Sequence, residues 1–357
     1  KSDGTESGTQ KIKEFSANIS MPHAIEYDNV LLMSFNDGNS GTKLWKTDGT
    51  DSGTVLVKDI SNPQAFIHYN GIIYFSVQGD LWKTDGTSAG TSFVYDYGGT
   101  KYTLANGKLY WCDDDYLYQS DGTSGGTSSV STLAHDDATV LGELNSKPII
   151  CCEGNGSQWV YSHGFELWEY DGTSLTEIVD LYPGEKSGVT PDNAYNPTFI
   201  VSGNSILFYG NNGTRSTLWM TDGTTAGTVK VKAVNDNGVI PNYEHPPYQT
   251  PLGDGIVFSV ENTGGEIWKS DGTPAGTFKL ADGEQVKETR LAGFMQSNGN
   301  KAFMATTWSI WTSDGTSGGT SELFPTWSFF TNAGKIHKPS GKLIFANSNN
   351  ISQGVSS

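Results

Sequence analysis

The chain has 357 residues and a formal net charge of −17, and 12% of its residues are aromatic. This is the composition of a folded globular protein, and its acidic balance with only two arginines, Arg215 and Arg290, argues against a nucleic-acid partner, which needs clustered basic residues. No stretch approaches the roughly 20 consecutive apolar residues of a membrane span and no signal-peptide pattern opens the sequence, so we expect a soluble chain that has lost a signal or belongs to a longer protein.

A short motif recurs along the whole chain. The triplet DGT occurs eight times, beginning at Asp3, Asp48, Asp85, Asp121, Asp171, Asp222, Asp271 and Asp314. Seven copies extend to DGTxxGT and seven have Ser or Thr before the Asp; the copy at Asp171 departs in both respects, because it reads DGTSLTE and follows Tyr170. One motif per roughly 35 to 50 residues is typical of a solenoid, a propeller or an array of repeats.

The segments around each motif predict strands. An apolar strand such as LWKT at 81–84 precedes each internal triplet, and an alternating strand such as TVLVKDI at 54–60 follows most of them. Upstream lies a strand pair such as FIHYNGIIYFSV at 66–77, broken by an Asn-Gly hairpin turn. Each unit is therefore predicted to contain four antiparallel strands, A to D, which favours an all-β fold, a β-propeller.

The two ends of the chain predict how the ring closes. Residues 1–15 resemble strands C and D, whereas residues 329–350 resemble strands A and B. Joined, they would complete an eighth blade of a single domain spanning 1–357 and remove two open sheet edges. Seven blades with frayed ends is the alternative.

The sequences "FELWEYDGT" and "GEIWKSDGTPAGT" resemble the ELWxxDGTxxGT repeat family of large secreted or surface proteins, most of them bacterial. The resemblance covers essentially the whole chain. It implies an extracellular propeller-like array and no single activity.

The motif itself is predicted to be a turn. Its Asp can accept backbone hydrogen bonds, its glycines supply the left-handed conformations that tight turns require, and the Leu and Trp before it are expected to pack between blades. Ser88, Ser124 and Ser317 match a G-x-S-x-G nucleophile elbow, but that elbow needs a strand leading into a helix. One Asp per turn also falls short of a calcium loop. Six tryptophans hold the strand-C position, which Tyr118 takes in one unit: Trp45, Trp82, Trp168, Trp219, Trp268 and Trp311.

Binding is expected at the opposite end of the sheets. In a propeller, the A–B and C–D turns share one face, and the B–C and D–A connections share the other. The long segments 152–166, 181–198 and 235–255 belong to the second face. Variable loops on a rigid frame are the usual place for binding sites.

An acidic group on that face predicts a site for a divalent cation such as calcium, since carboxylate oxygens are the ligands that calcium prefers. A solvated acidic edge is the plainer alternative. The group contains Asp113, Asp114, Asp115, His135, Asp136 and Asp137.

Aromatic residues outside the strand-C pattern are candidates to stack on sugars or to contact a protein, although packing of a loop onto the frame would also explain them. They are Trp159, Tyr243, Tyr248, Trp308 and Trp327. The six histidines show no metal-ligand spacing.

The cysteines give a test of strand orientation. Cys112 and Cys151 hold matching positions in strand B of consecutive units, and Cys152 points the other way because side chains alternate along a strand. Any disulfide is therefore predicted to join Cys112 to Cys152. Sequons at Asn18, Asn155, Asn212 and Asn350 permit glycosylation.

These patterns favour a non-catalytic extracellular recognition or adhesion module that binds a glycan or a protein. One alternative is an enzyme with a site of carboxylates and His135 at the mouth of the central channel, with or without the assistance of a cation. Another is a structural subunit of an extracellular assembly. Fold alone does not choose among them.

Overall fold

The computed structural model describes residues 12–14, 20–37, 41–113, 115–133, 138–153, 164–184, 186–189, 199–213, 216–232, 249–260, 266–281, 291–297, 299–306 and 309–325. All regular elements in these ranges are β-strands, and none of the described residues forms a helix that could span a membrane. The strands build seven four-stranded antiparallel sheets, each in simple chain order. The predicted all-β fold of four-stranded antiparallel units is confirmed.

The strands of the first four sheets are bounded as follows. The first sheet contains β1 (Ser20–Tyr27), β2 (Val30–Asn36), β3 (Thr42–Thr47) and β4 (Val55–Lys58). The second contains β5 (Gln64–Tyr69), β6 (Ile72–Val77), β7 (Asp80–Thr84) and β8 (Ser92–Tyr95). The third contains β9 (Thr103–Ala105), β10 (Lys108–Asp113), β11 (Tyr116–Ser120) and β12 (Ser128–Thr132). The fourth contains β13 (Thr139–Leu144), β14 (Lys147–Cys152), β15 (Glu166–Tyr170) and β16 (Leu175–Val179).

Three sheets follow with the same order of strands. The fifth contains β17 (Phe199–Ser202), β18 (Ser205–Asn211), β19 (Ser216–Thr221) and β20 (Val229–Lys232). The sixth contains β21 (Gln249–Leu252), β22 (Gly255–Val260), β23 (Glu266–Ser270) and β24 (Phe278–Ala281). The seventh contains β25 (Leu291–Ser297), β26 (Ala302–Thr306), β27 (Ser309–Ser313) and β28 (Ser321–Pro325).

The chain divides into two compact units. The first unit holds the first three sheets and most of the fourth, and the second holds the last three sheets together with residues 164–166 and 178–189. Within each unit the first strands of consecutive sheets contact one another, as β1 does with β5 and β17 with β21. Each unit is thus a row of antiparallel sheets of the kind that forms propeller blades.

The hydrophobic cores lie between consecutive sheets, and the residues before each motif build them. Leu81 is fully buried in the core that the second sheet shares with the third, whereas its neighbour Trp82 packs against the core shared with the first. In the second unit, Ile267 of the sixth sheet is buried in the core shared with the seventh sheet, whereas its neighbour Trp268 is buried in the core shared with the fifth. Because side chains alternate along a strand, one Leu-Trp pair serves two cores. The predicted packing of these residues between sheets is confirmed.

The DGT turn is a closed network of hydrogen bonds, which the copy at Asp121 illustrates. Asp121 Oδ1 accepts the N–H (2.9 Å) and the hydroxyl (2.7 Å) of Thr123. Thr123 Oγ1 then accepts the N–H of Gly126 (3.0 Å), and its carbonyl accepts the hydroxyl of Thr127 (2.6 Å). Thr127 Oγ1 lies 2.7 Å from Ser120 Oγ, which joins the two strands that flank the turn. The same bonds recur in the copies at Asp48, Asp85, Asp222, Asp271 and Asp314.

The second glycine of the motif is needed because the Asp carboxylate occupies the space of its missing side chain. A Cβ on Gly126 would overlap the carboxylate of Asp121, whereas nothing surrounds a Cβ on the preceding Gly125. The hydroxyl and N–H of Thr123 lower the pKa of Asp121, so the carboxylate stays ionised while it organises the turn. The motif is therefore a turn, as predicted.

The irregular copy at Asp171 shows which motif positions depend on each other. Here the turn is shorter: Asp171 donates its N–H to the carbonyl of Ser174 (3.2 Å), and its Oδ1 accepts the N–H groups of Thr173 and Ser174, each at 2.8 Å. These bonds lower the pKa of Asp171 to about 2. In the regular copies, the Ser or Thr before the Asp pairs with the last Thr of the motif. In this copy, Tyr170 takes the place of the Ser or Thr before the Asp, and Glu177 takes the place of the last Thr of the motif. The two positions depart from the motif together because in the regular copies they form one pair.

Candidate ligand-binding site

The two ends of each sheet differ. We call the end that carries the C–D turns and the DGT motifs the motif end, and the end that carries the B–C and D–A connections the loop end. Ser88, Ser124 and Ser317 lie at the motif end, in turns between β7 and β8, β11 and β12, and β27 and β28. Each of these serines is followed by a strand rather than a helix, so the nucleophile-elbow interpretation is excluded as predicted.

The predicted cation site is described only in part. Asp113 ends β10, opposite Tyr116 in the register, and the carbonyl of Asp115 accepts the N–H of Leu133 (2.6 Å). Asp114, His135, Asp136 and Asp137 lie outside the described residues. Among the residues that are described, no three His, Cys, Asp or Glu side chains converge as metal ligands would. The calcium site stays a prediction.

The predicted aromatic candidates all lie outside the described residues: Trp159, Tyr243, Tyr248, Trp308 and Trp327. Their role as ligand contacts therefore also stays a prediction.

A different group of aromatic side chains assembles at the loop end of the third sheet. Tyr118, which takes the place of the strand-C tryptophan, stacks on Trp111 with ring centroids 5.5 Å apart and planes 7° apart. Tyr97 stacks on Tyr118 at 6.2 Å and 16°. Tyr95 and Tyr116 approach Tyr118 edge-on at 6.4 Å and 6.2 Å. We call Tyr95, Tyr97, Tyr116 and Tyr118 the tyrosine patch.

The tyrosine patch is open to solvent on its outer side. Tyr97 is 56% exposed and Tyr116 41%, while Tyr118 beneath them is 5% exposed. Tyr97 belongs to the connection between β8 and β9, and Tyr116 begins β11 after the turn at Asp113–Asp115. The patch therefore lies at the loop end, where the variable connections predicted a binding surface. Large exposed aromatic rings in a contiguous group indicate a site of interaction.

The loop that presents Tyr97 is held by specific bonds. Tyr97 adopts a left-handed backbone conformation with φ of 66°, which costs a residue with a side chain on the order of 1 kcal/mol. Trp111 donates its indole N–H to the carbonyl of Tyr97 (3.0 Å), and the N–H of Gly99 donates to the Tyr102 hydroxyl (3.1 Å). Tyr102 in turn bonds Ser76 at 2.7 Å. The exposed ring is thus positioned in advance of any ligand.

Burial and a neighbouring carboxylate raise the pKa of two tyrosines at the base of the patch. Burial raises the pKa of Tyr118 to about 12, and the negative charge of Asp113 adds to the effect. Burial and Asp113 raise the pKa of Tyr102 to about 12 as well, although its bonds to Ser76 and Gly99 oppose them. The carboxylate of Asp113 therefore acts on the rings of the patch, and as a carboxylate it can only accept hydrogen bonds.

Two sequence features each point to one part of the patch. Tyr118 is the aromatic residue that interrupts the series of strand-C tryptophans, and "YDYGG" at 95–99 places two tyrosines immediately before a pair of glycines. The sequence does not join these two features, because their side chains are brought together by the contact between the second and third sheets.

A buried carboxylate organises another connection at the loop end, in the second unit. Glu166 is fully buried and accepts three backbone N–H groups, from Leu181 (3.0 Å), Tyr182 (3.4 Å) and Gly188 (2.7 Å). Burial, with a smaller contribution from the negative charge of Asp180, raises its pKa to about 7 despite these bonds. Glu166 thereby fixes residues 181–188, the first part of the predicted long segment 181–198.

The cysteines face each other as the strand pattern predicted. Cys112 packs against the core between the third and fourth sheets, and Cys152 is a buried member of the same core. Burial raises the pKa of the Cys112 thiol, and Cys152 contributes to the rise. No disulfide joins the three cysteines, all of which the structure describes, so the Cys112–Cys152 disulfide stays a prediction.

Comparison with known proteins gives information about the fold alone. No family model and no curated protein matches the sequence. Among solved structures, a prolyl endopeptidase matches 86% of this chain and 50% of its own, with 10% identity and a TM-score of 0.50. BamB from Moraxella catarrhalis matches 93% of this chain and 95% of its own, with 11% identity and a TM-score of 0.47. The tricorn protease matches 74% of this chain and 26% of its own, with 14% identity and a TM-score of 0.36. The chain thus spans half of the endopeptidase and about a quarter of the tricorn protease. The likeness to the endopeptidase supports a propeller-like fold and no activity.

Proposed function

We propose that the chain is a recognition module of a secreted or surface protein, a β-propeller that binds a glycan at the loop end of its third sheet. The observation that carries this proposal is the exposure of Tyr97 and Tyr116 on a positioned loop beside Asp113. The resemblance to the ELWxxDGTxxGT repeat family favours the extracellular location.

The chemistry of the patch suits a sugar ring. The apolar C–H face of a pyranose stacks on an aromatic ring, and the surrounding hydroxyls need donors and acceptors at the rim. Tyr97 and Tyr116 supply exposed rings, and the tyrosine hydroxyls and the carboxylate of Asp113 supply the two kinds of polar partner. Because the rings are already held in place, little side-chain entropy is lost on binding.

We further propose eight blades, closed by the two ends of the chain. Lys58 Nζ, ten residues after Asp48, donates to the carbonyls of Ser88 (3.3 Å) and Thr91 (2.6 Å) in the next motif. Lys13 stands ten residues after Asp3 and reaches the matching carbonyls of the motif at Asp48 in the same way, at 3.3 Å and 3.0 Å. This equivalence supports residues 12–14 as the last strand of a blade that precedes the first sheet. The strands expected to complete it, at 329–350, lie outside the described residues.

A glycan array probed with the whole chain tests the binding proposal. We expect binding to a limited set of glycans, with Tyr97→Ala and Tyr116→Ala each weakening it at least tenfold. Phe93→Ala is the matched control, because Phe93 is an exposed ring on β8 (46%) that contacts Trp82 outside the patch. The measurement is repeated with calcium and with a chelator, which tests the predicted acidic site. Equal binding by wild type and the Tyr97 variant would refute the assignment of the site.

A further inference from the structure

We infer that the ligand of the tyrosine patch carries a positive charge beside its apolar ring face, as a glycan built of free amino sugars does. The inference rests on the proposed function and narrows its ligand class from glycans in general to cationic glycans.

The first argument is the set of carboxylates around the rings. Asp113 stands opposite Tyr116 at the end of β10, and Asp96 is the exposed residue between Tyr95 and Tyr97. Asp80 begins β7, and its backbone lies directly against Gly98 in the loop that carries Tyr97. Asp96 and Asp113 therefore bring carboxylates to the patch from two separate elements, and Asp80 adds a third acidic residue against the loop that carries Tyr97.

The second argument is that the rings themselves favour a cation. The face of a tyrosine ring is the negative end of its quadrupole, so an ammonium group above it is attracted, and carboxylates at the edge strengthen the attraction. Burial and the negative charge of Asp113 raise the pKa of Tyr118, so the carboxylate acts directly on the aromatic stack beneath Tyr97 and Tyr116. A cationic sugar is served by both the rings and the carboxylates, whereas a neutral sugar uses mainly the rings.

The third argument is the charge of the surroundings. The chain carries a net charge of −17, which attracts cationic polymers and repels sulfated, sialylated or uronic-acid glycans. In the connection from Asp96 to Tyr102 and the turn at Asp113–Asp115, Lys101 is the one basic residue in the sequence. An anionic glycan would meet one lysine there against the carboxylates of Asp96, Asp113, Asp114 and Asp115, so charge complementarity selects against it.

The experiment compares two oligosaccharides of the same length and linkage that carry either a protonated amine or a neutral acetamide on each ring, and the salt dependence isolates the contribution of charge. A glucosamine hexamer and an N-acetylglucosamine hexamer are titrated into the whole chain by calorimetry at a pH where the free amine is protonated, in 50 mM and 500 mM salt (about 14 and 4 Å Debye lengths). We expect the glucosamine hexamer to bind at least tenfold tighter at low salt and to lose most of this advantage at high salt.

Two variants separate the charge from the rings. Asp113→Asn and Asp96→Asn are each expected to weaken glucosamine binding at least threefold and to leave N-acetylglucosamine binding unchanged, while Asp254→Asn, an exposed carboxylate in the turn between β21 and β22, changes neither. Asp96 is exposed, so its variant remains informative if the Asp113 variant unfolds.

The outcomes distinguish this inference from the proposed function. Equal or tighter binding of the acetylated hexamer, without salt dependence, overturns the cationic ligand but leaves glycan binding at the patch standing. Binding of an anionic glycan at the patch also overturns it. Failure of every glycan to bind, on the array and by calorimetry, overturns the proposed function itself.

Discussion

Carboxylates at the motif end and at the loop end have opposite shifts in pKa. At the motif end, exposed aspartates such as Asp85 are surrounded by hydroxyl and N–H donors of their own turn, which lower the pKa. At the loop end, Glu166 is buried among backbone N–H groups of a distant segment, and burial raises its pKa to about 7. The comparison shows that the Asp of a repeated turn is paired within its own motif, whereas Glu166 depends on contacts that are made once in the chain.

The largest effect is expected from the buried carboxylate, as a pH dependence. The pKa of Glu166 is about 7 in the folded protein, above its ordinary value of 4.5, so the folded state keeps a proton that the unfolded state has lost between these values. The free energy of unfolding should therefore fall as pH rises from 4.5 to 7, by at most about 3 kcal/mol from this group.

Chemical denaturation at several pH values measures this effect. Glu166→Gln should remove that part of the pH dependence. Glu169→Gln should keep it, because Glu169 lies on the same strand as Glu166 but is a partly exposed carboxylate that pairs with Lys147. The interpretation would be wrong if wild type and Glu166→Gln followed parallel curves between pH 4.5 and 7.

A pair of adjacent glycines tests how tightly the motif end is packed. Gly126→Ala forces a Cβ into the carboxylate of Asp121 and should lower the free energy of unfolding by about 2 kcal/mol, the usual size of an overpacking penalty. Gly125→Ala is the matched control, since its Cβ would meet nothing, and should change stability by less than about 0.5 kcal/mol. Thermal unfolding of both variants measures the two losses of stability. Similar losses for Gly126→Ala and Gly125→Ala would contradict the described turn.

A smaller loss is expected when the hydroxyl that joins the turn to its strand is removed. Thr127→Val deletes the bonds to Thr123 and Ser120 at nearly constant volume and should cost about 1 kcal/mol. Thr132→Val, on the exposed side of β12, serves as the control. If the two variants have equal midpoints in urea, the network contributes nothing measurable.

The smallest effect compares two lysines, each of which donates hydrogen bonds to carbonyls of a motif that follows it in the chain. Lys58→Met should cost about 0.5 kcal/mol, because its bonds to the next motif are partly exposed to water. Lys13→Met should cost the same amount if residues 12–14 belong to a blade of the same kind. A loss for Lys58→Met and none for Lys13→Met, measured by urea unfolding, would argue against closure of the ring by the N-terminal segment.

Much of the fold could be predicted because it is repeated and local. The four strands, the turn at each motif and the packing of Leu and Trp between sheets follow from strand alternation and turn chemistry within about 40 residues. The orientation of Cys112 toward Cys152 followed from the same alternation. The tyrosine patch could not be predicted, because Tyr95 and Tyr97 come from the end of the second sheet and Tyr116 and Tyr118 from the third.

By itself the sequence determined the repeat, the type of each unit and the structural role of "LWKTDGTSAGT", since the carboxylate of Asp85 and the hydroxyls of Thr84, Thr87 and Thr91 pair within the motif. Only the tertiary structure decided which side chains meet at the loop end. It stacked Tyr97 on Tyr118 and buried Glu166 against residues 181–188. The physical reason is that burial and a raised pKa depend on neighbours that are distant in the chain, and a local pattern does not encode them.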